Sequence, residues 1–171
     1  MPDLVFTRRF SMGHRLIAGG SESCALPHGH NEFVSVRLRA ARRRMLDGAG
    51  NMVIPFADAK RRWHRFVDER LDHALQLGAT DPLLRWFEQH EPARAGRIVV
   101  TPGDPTTELM ACLLLSKLSA MLLDDGDRLR AVSLRLEETP TNAVELDADA
   151  LPLLLPTGGG GWWRRPDMSI R

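Results

Sequence analysis

The chain has 171 residues, 43% of them hydrophobic, which is enough to bury a core without disulfide or metal staples. Its formal net charge of +1 argues against a general nucleic-acid or membrane-surface binder. The chain contains 2 cysteines, Cys24 and Cys112, and two free thiols in a reducing compartment are the simplest interpretation.

Neither a signal peptide nor a membrane-spanning segment is expected. The first residues, MPDLVFTRRF, lack the apolar stretch of a secretory signal. The longest apolar run, Leu109–Leu123, is interrupted by Ser116, Lys117 and Ser119, and it is too short and too polar to span a bilayer. We therefore expect a cytoplasmic protein with no nucleic-acid or membrane partner.

Strand patterns lie towards both ends of the chain, and two helical patterns lie between them. Leu4–Met12 is rich in β-branched and aromatic residues, and polar and apolar residues alternate along Glu32–Ala40. Apolar residues recur at helical spacing along Phe56–Leu71, and Thr106–Leu123 is a second, more apolar helix. Further strands are predicted at Met52–Ile54, Arg130–Glu138 and Ala143–Leu146. This order predicts an α+β fold, an antiparallel sheet covered by helices on one face.

Two segments depart from this pattern. Residues 81–97 are largely polar and are interpreted as an excursion inserted between the helices. From residue 148 onward the chain is rich in proline and glycine. The predicted organisation is one domain over residues 1–147 and a C-terminal extension over residues 148–171.

The extension itself allows two interpretations. Gly158–Gly161 has the composition of a flexible linker, so the terminus could be disordered. Trp162 and Trp163 follow at once, and adjacent exposed tryptophans are unfavourable. The alternative is that they dock on a neighbouring subunit, near the excursion and its Trp86.

Three histidines in the first part of the chain are candidate metal ligands. His28 and His30 are two residues apart, so on a strand they point to the same face. If the first strand pairs with the second, His14 reaches that face too. Three neutral imidazoles with one open position are typical of catalytic zinc, and nitrogen donors suit zinc better than calcium or magnesium. The alternatives are ordinary surface histidines, or a closed structural site with Cys24 as the fourth ligand.

Three further clusters each have an ordinary structural explanation when considered alone. Asp72 and His73 lie at the end of the first helix, where a histidine interacts with the helix dipole. The segment from Asp104 to Glu108 has the residues of a helix N-cap and first turn. Glu138 lies near the end of an apolar strand, where a carboxylate is usually solvated.

Together, and in order, these segments resemble the 6-pyruvoyltetrahydropterin synthase family, which also contains the 6-carboxytetrahydropterin synthases of queuosine biosynthesis. The segments that carry the resemblance are FSMGHRL, CALPHGHN, NMVIPFADAK, RLDHALQL, DPTTELMA and LEETPTNAVEL. The resemblance covers roughly Leu4 to Leu146. It implies the tunnelling fold, a four-stranded antiparallel sheet with two helices packed on one face. It also implies that subunits join their sheets into an oligomeric barrel, usually as a hexamer.

The resemblance assigns roles to individual residues. It implies that zinc is bound by His14, His28 and His30, and that the catalytic residues are Cys24, Asp72 and His73. It implies that Glu138 anchors the pterin ring and that Thr107 and Glu108 line its pocket. In this scheme zinc polarises substrate oxygens, while a thiolate and an imidazole move protons. A glutamate facing the guanidine-like edge of a pterin forms paired, charge-assisted hydrogen bonds.

The spacing of Cys24 and the histidines, C-x3-H-G-H, resembles the queuosine branch. It implies a 6-carboxy-5,6,7,8-tetrahydropterin synthase that takes 7,8-dihydroneopterin triphosphate and releases acetaldehyde and triphosphate. One alternative is a 6-pyruvoyltetrahydropterin synthase or a related pterin side-chain lyase. Another is a non-catalytic, zinc-stabilised pterin-binding or assembly module, in which Cys24 closes the metal shell.

The chain departs from the family pattern at several places. Pro55 stands where an acidic residue usually precedes the first helix, and Glu32 stands where the family usually has an aromatic or small residue. The segment of residues 81–97 is longer than a minimal member of the family needs. The extension after Asp147 has no counterpart in the family pattern. These departures leave room for a divergent substrate.

Overall fold

A long antiparallel hairpin forms the centre of the fold. The computed structural model describes residues 2–42, 48, 50–155 and 159–171. Strand β1 (Asp3–His14) pairs with β2 (His28–Ala40) along its whole length, which places His14 opposite His28. A short helix, α1 (Glu22–Ala25), lies in the connection between them. Both predicted strands are therefore present. The second begins four residues earlier than predicted, where polar residues conceal the alternation.

The remaining elements follow the hairpin in chain order. They are α2 (Phe56–Phe66) continued by a π-helical turn (Val67–Leu71), β3 (Ala74–Gly78), α3 (Pro82–His90), α4 (Pro92–Ala95), β4 (Ile98–Thr101), α5 (Thr107–Asp124), β5 (Leu129–Thr139), β6 (Asn142–Asp147), a 3-10 turn (Ala148–Ala150), α6 (Leu151–Leu154) and a final 3-10 turn (Trp162–Arg164). No helix in the described ranges combines the length and the apolar character that a bilayer span needs.

The sheet corrects the prediction of four antiparallel strands. It has 6 strands, in the order β4-β3-β1-β2-β5-β6. β1, β2, β5 and β6 pair antiparallel, as predicted, but β3 runs parallel to both β1 and β4. Parallel neighbours need a crossover connection. The polar excursion provides it, because α3 and α4 lead from β3 to β4.

Met52–Ile54 is not a strand, contrary to the prediction. These residues lie outside the sheet, and the side chains of Val53 and Ile54 pack against the core instead. Helix α2 begins directly afterwards, and its N-cap, Pro55, makes no side-chain capping hydrogen bond.

The main core lies between one face of the sheet and helices α2 and α5. Phe10, Val34 and Leu136 face it from the sheet and are at most 1% exposed. A separate, smaller cluster joins Leu84 of α3 to Leu77 and Ile98. Neighbouring residues of β3 and β4 belong to the main core, and alternate strand residues point to opposite faces. The segment α3–α4 therefore covers the other face of the sheet at its β3–β4 side.

The C-terminal segment packs on its own chain, so residues 159–171 are not loose: Trp162 docks, as in the second interpretation, but on a surface of the same subunit. Trp162 is 1% exposed and stacks on Phe66, with 6.3 Å between the ring centroids. Its indole N–H donates to the Val100 carbonyl oxygen (2.7 Å), and the Val100 N–H donates to the carbonyl of Ile170 (3.0 Å). The segment thereby covers the outer edge of β4 and the apolar surface beside it. Gly158, the first glycine of the predicted linker, lies outside the described residues.

Candidate functional site

Three imidazoles converge at the end of the hairpin where β1 finishes and β2 begins. His14 faces His28 across the ladder, and His30 follows His28 on the same face of β2. Their candidate ligand nitrogens all lie within 4.8 Å of one another, and the Nε2 atoms of His14 and His28 are 3.0 Å apart. Two nitrogens that bind one zinc tetrahedrally at about 2.0–2.1 Å lie close to this distance from each other. The donor set therefore fits zinc.

Gly29 allows the strands to approach closely between two of these histidines. A Cβ at this position would lie 2.5 Å from the carbonyl oxygen of Met12 on β1. No larger residue fits without moving the ladder. The glycine of the H-G-H motif is therefore required by the hairpin that brings the histidines together.

Backbone carbonyls fix the orientation of two of the rings. Nδ1 of His14 is 3.1 Å from the carbonyl oxygen of Pro105, and Nδ1 of His28 is 2.9 Å from that of Leu26. A ring nitrogen that donates to a carbonyl carries the proton, which leaves Nε2 free as a metal ligand. Burial lowers the pKa of His14, which is 2% exposed, and so favours the neutral form that binds metals.

Cys24 lies in the connection between the two histidine-bearing strands. It is half-buried within α1, and the hydroxyl of Ser21 donates to its Sγ atom at 3.2 Å. In the described part of the chain the group able to hold a metal consists of His14, His28 and His30, without Cys24. The three histidine nitrogens therefore form the candidate group, and the Cys24 sulfur contacts Ser21 instead.

Asp72 and His73 form a second, preassembled pair. His73 has a φ of 58°, in the left-handed region, directly after the π-helical turn. Its Nδ1 lies 2.8 Å from Oδ2 of Asp72, whose other oxygen accepts from the Ser11 N–H at 2.8 Å. That backbone hydrogen bond is the main reason why the pKa of Asp72 is lowered. The side chain of His73 is 78% exposed, and no hydrogen bond in the described residues joins the pair to Cys24 or to the three histidines.

The start of α5 connects the histidines to Glu138. Thr107, the first residue of α5, donates its hydroxyl hydrogen to Oε1 of Glu138 at 2.8 Å. Two residues earlier, the Pro105 carbonyl holds His14. Glu108 is exposed in the first turn of the same helix. One short segment thus contacts both His14 of the histidine group and the carboxylate of Glu138.

Comparison with known proteins identifies the family to which the chain belongs. A family model described as 6-pyruvoyl tetrahydropterin synthase matches residues 3–149. The chain belongs to the 6-pyruvoyl tetrahydropterin synthase family. Because the family is one of pterin synthases, the match supports the prediction that the chain is an enzyme. The matched region ends close to the start of the predicted extension.

Curated relatives within the family carry a more specific name. The 6-carboxy-5,6,7,8-tetrahydropterin synthase of Rickettsia felis is 31% identical over 142 residues, covering 82% of this chain and 97% of the relative. The enzyme of the same name from Rickettsia conorii is 30% identical over the same shares.

Solved structures support the fold. An uncharacterized protein from Wolinella succinogenes matches with a TM-score of 0.69 and 24% identity, over 86% of this chain and 98% of that one. The 6-pyruvoyl tetrahydropterin synthase of Caenorhabditis elegans matches with a TM-score of 0.54 and 23% identity, over 86% and 97%. The tunnelling fold therefore fits this family member, with a mixed sheet in place of the expected antiparallel one.

In this member of the family, Glu32 adds a buried acid beside the site. It follows His28 and His30 on the same face of β2 and is 1% exposed. Its Oε2 atom has no hydrogen-bond partner among the residues that the structure describes. Burial, and secondarily the charge of Glu138, raises the pKa of Glu32 to about 8. The sequence marked Glu32 as a departure from the family pattern but gave no indication that it is buried near Glu138.

Other contributors to the site were missed by sequence reasoning. The carbonyls of Pro105 and Leu26 orient histidines, but a main-chain oxygen leaves no mark in a sequence pattern. The Ser21 hydroxyl contacts the Cys24 sulfur. The spacing S-x-x-C was the available signal, because an N-cap side chain reaches the third helical residue.

Proposed function

We propose that this chain is a zinc-dependent 6-carboxy-5,6,7,8-tetrahydropterin synthase that acts on 7,8-dihydroneopterin triphosphate and releases acetaldehyde and triphosphate. The observation that carries the proposal is the group of three imidazoles, with the free thiol of Cys24 in the connection between the two strands that bear them. The names of the two Rickettsia relatives and the C-x3-H-G-H spacing support the 6-carboxy branch.

His14, His28 and His30 would hold the zinc, which when bound supplies a Lewis acid for substrate oxygens. Cys24 removes or returns a proton at a side-chain carbon of the substrate, and the Ser21 hydroxyl steadies its sulfur. Asp72 holds Nδ1 of His73, so Nε2 of that ring is the atom that exchanges a proton. Because this pair makes no hydrogen bond to the histidines of its own chain within the described residues, we propose that it serves the site of a neighbouring subunit.

Glu138 is the proposed anchor for the pterin ring. Its carboxylate accepts paired hydrogen bonds from the guanidine-like edge, and the hydroxyl of Thr107 fixes the carboxylate in place. Glu108, one residue further along α5, is proposed to line the same pocket. We propose that these contacts orient the substrate side chain towards the zinc and Cys24.

The decisive experiment incubates the zinc-loaded protein with 7,8-dihydroneopterin triphosphate and identifies the products by mass spectrometry. We expect 6-carboxytetrahydropterin, acetaldehyde and triphosphate. A 6-pyruvoyl product would support the alternative synthase. Pterin binding without any product would support the non-catalytic module.

Replacing Cys24 tests the proton-transfer role separately. Cys24→Ala should keep its zinc and lose activity by about 10²–10⁴-fold, the usual cost of removing a proton-transfer group. Cys112→Ala is the matched control, because this thiol is buried within α5 and burial raises its pKa. Loss of zinc together with activity in Cys24→Ala would favour the closed structural site instead.

A further inference from the structure

A buried ion pair joins the metal-binding strand to the two-helix segment α3–α4. Arg15 directly follows His14, and its guanidinium makes a two-pronged contact with Asp81, with Nε 2.8 Å from Oδ2 and Nη2 on Oδ1. The Asp81 side chain is 1% exposed, and that of Arg15 is 19% exposed. Asp81 also caps α3 by accepting from the Leu83 N–H at 2.7 Å. A paired contact of this kind has a strict geometry, so it fixes Arg15 relative to α3.

Two residues that follow Arg15 in the chain, Leu16 and Gly20, contact Cys24 directly. The N–H of Leu16 donates to the carbonyl oxygen of Cys24 at 2.8 Å. A Cβ on Gly20 would lie 2.8 Å from Cβ of Cys24 and 3.0 Å from Cβ of Leu16, so these three residues are in tight contact. Because Leu16 directly follows Arg15 and is hydrogen-bonded to Cys24, a displacement of Arg15 would also displace Cys24.

A second carboxylate holds the same connection from the side of α5. Oδ2 of Asp104 accepts from the N–H groups of Ala18 and Gly19, at 2.7 and 3.2 Å. Asp81 precedes α3 and Asp104 follows β4, so the two carboxylates stand on either side of the two-helix segment. The connection is thus held at two points on the N-terminal side of Cys24, at Arg15 by Asp81 and at Ala18–Gly19 by Asp104.

We propose that Arg15 and Asp81 are positioning residues for Cys24, and that the segment α3–α4 sets the place of the thiol relative to the three histidines through this ion pair. The inference rests on the proposed function in one respect, the role of Cys24 in proton transfer. The competing explanation is that the pair only stabilises the fold and caps α3.

The experiment compares Arg15→Lys and Asp81→Asn in the zinc-loaded full chain. Arg15→Lys keeps a positive charge opposite Asp81 but loses the two-pronged contact, so it leaves no buried charge without a partner. Glu91→Gln is the control, because it breaks the more exposed Glu91–Arg94 pair at α4. The measurements are zinc content, melting temperature, kcat, KM and the rate at which iodoacetamide modifies Cys24, with Cys112 as the internal reference.

We expect both variants to retain zinc and to lose kcat by about 10–100-fold with KM close to that of the wild type, because a small displacement of a reacting group has a cost of this size. The rate of Cys24 modification should change relative to Glu91→Gln, while that of Cys112 should not. A folded, zinc-bound Arg15→Lys protein with wild-type kcat and wild-type Cys24 modification would overturn the proposal, whether or not Asp81→Asn folds. If the wild type does not turn over 7,8-dihydroneopterin triphosphate, the proposed function fails, and the modification rates alone decide the positioning role.

Discussion

At the scale of single residues, the site depends on which atom each side chain leaves free. His14 and His28 use Nδ1 on backbone carbonyls and direct Nε2 towards each other. When each Nδ1 carries the ring proton, the two Nε2 atoms direct lone pairs towards each other, an arrangement that a shared metal ion would stabilise. The same reasoning applies to His73, whose Nδ1 is held by Asp72.

The first prediction concerns metal binding by these nitrogens. We expect about one zinc per chain, as a catalytic site of this kind requires, and loss of zinc in His28→Ala and in His30→Ala. His90→Ala is the control, because His90 is exposed on α3 and lies outside the histidine group. Metal content by mass spectrometry decides the question, and full zinc occupancy in both ligand variants would remove these histidines from the site.

A second residue of interest lies far from the histidines in sequence. Lys117 is fully buried, and its Nζ donates to the carbonyl oxygens of Trp162 (3.0 Å) and Ser169 (3.1 Å). Asp167 lies 3.4 Å from the same nitrogen. Burial nevertheless lowers the pKa of Lys117 to about 8, against the opposing effect of Asp167.

This lowered pKa predicts how stability changes with pH. Between pH 8 and 10.5 the unfolded chain binds more protons at this position than the folded one. The free energy of unfolding of the wild type should therefore rise with pH over that window relative to Lys117→Met, by at most about 3 kcal/mol. Urea unfolding at several pH values measures it, with Lys60→Met as the control. Parallel pH curves for wild type and Lys117→Met would contradict the prediction.

At the scale of elements, α5 depends on the C-terminal segment. The helix is buried along most of its length because it packs on β5 on one side and on the 3-10 turn at Trp162 on another. Its first turn orients Glu138, and the residue two positions before it holds His14. Stability of the C-terminal segment and integrity of the site are therefore linked through one helix.

The C-terminal segment should accordingly contribute strongly to stability. Trp162→Ala should lower the free energy of unfolding by about 3–5 kcal/mol, as for other buried aromatic residues. Trp86→Ala is the matched control, since Trp86 is 44% exposed on α3 and surface substitutions usually change stability by less than about 0.5 kcal/mol. Truncation after Thr157 should lower the melting temperature further. An unchanged melting temperature in the truncated chain would mean that the packing of residues 159–171 is dispensable.

At the scale of the whole molecule, the two edges of the sheet differ. The β4 edge is covered by the C-terminal segment, whereas β6 ends the sheet at the other side with no further strand among the described residues. Val5 and Phe33, on the face of the hairpin opposite the core, are 53% and 38% exposed. An open sheet edge and exposed apolar side chains on a sheet face are both features that proteins commonly cover between subunits.

We therefore predict a homo-oligomer, and from the family a hexamer, whose sites combine residues of two subunits. Light scattering at micromolar concentration measures the mass, and a monomer would contradict the prediction. Mixing Cys24→Ala with His73→Ala protein, unfolded and refolded together, tests the shared site. Activity should return to about a quarter of the wild-type value if random mixing restores complete sites between neighbours. No recovery in a mixed oligomer would place all of these residues in one subunit.

Several features of the site could be predicted from the sequence because they depend on short-range geometry. Alternation along a strand places His28 and His30 on one face, and it places the apolar residues of β2 in the core. Glycine is the residue type that permits a close backbone approach, and Met12 of β1 makes this approach at Gly29. Helical spacing found α2 and α5 for the same reason, since a period of a few residues is contained within the segment itself.

Only the tertiary structure decided the parallel strands, the packing of the C-terminal segment and the burial of Glu32. β3 and β4 are too short to show a period, and the residues between them form helices that are polar on the side facing solvent. Trp162 is hydrogen-bonded to Val100, which lies 62 positions away in the sequence. Arg15 forms its ion pair with Asp81, which lies 66 positions away. Such contacts depend on how distant segments pack together, and the periodicity of one segment contains no information about which partner will lie against it.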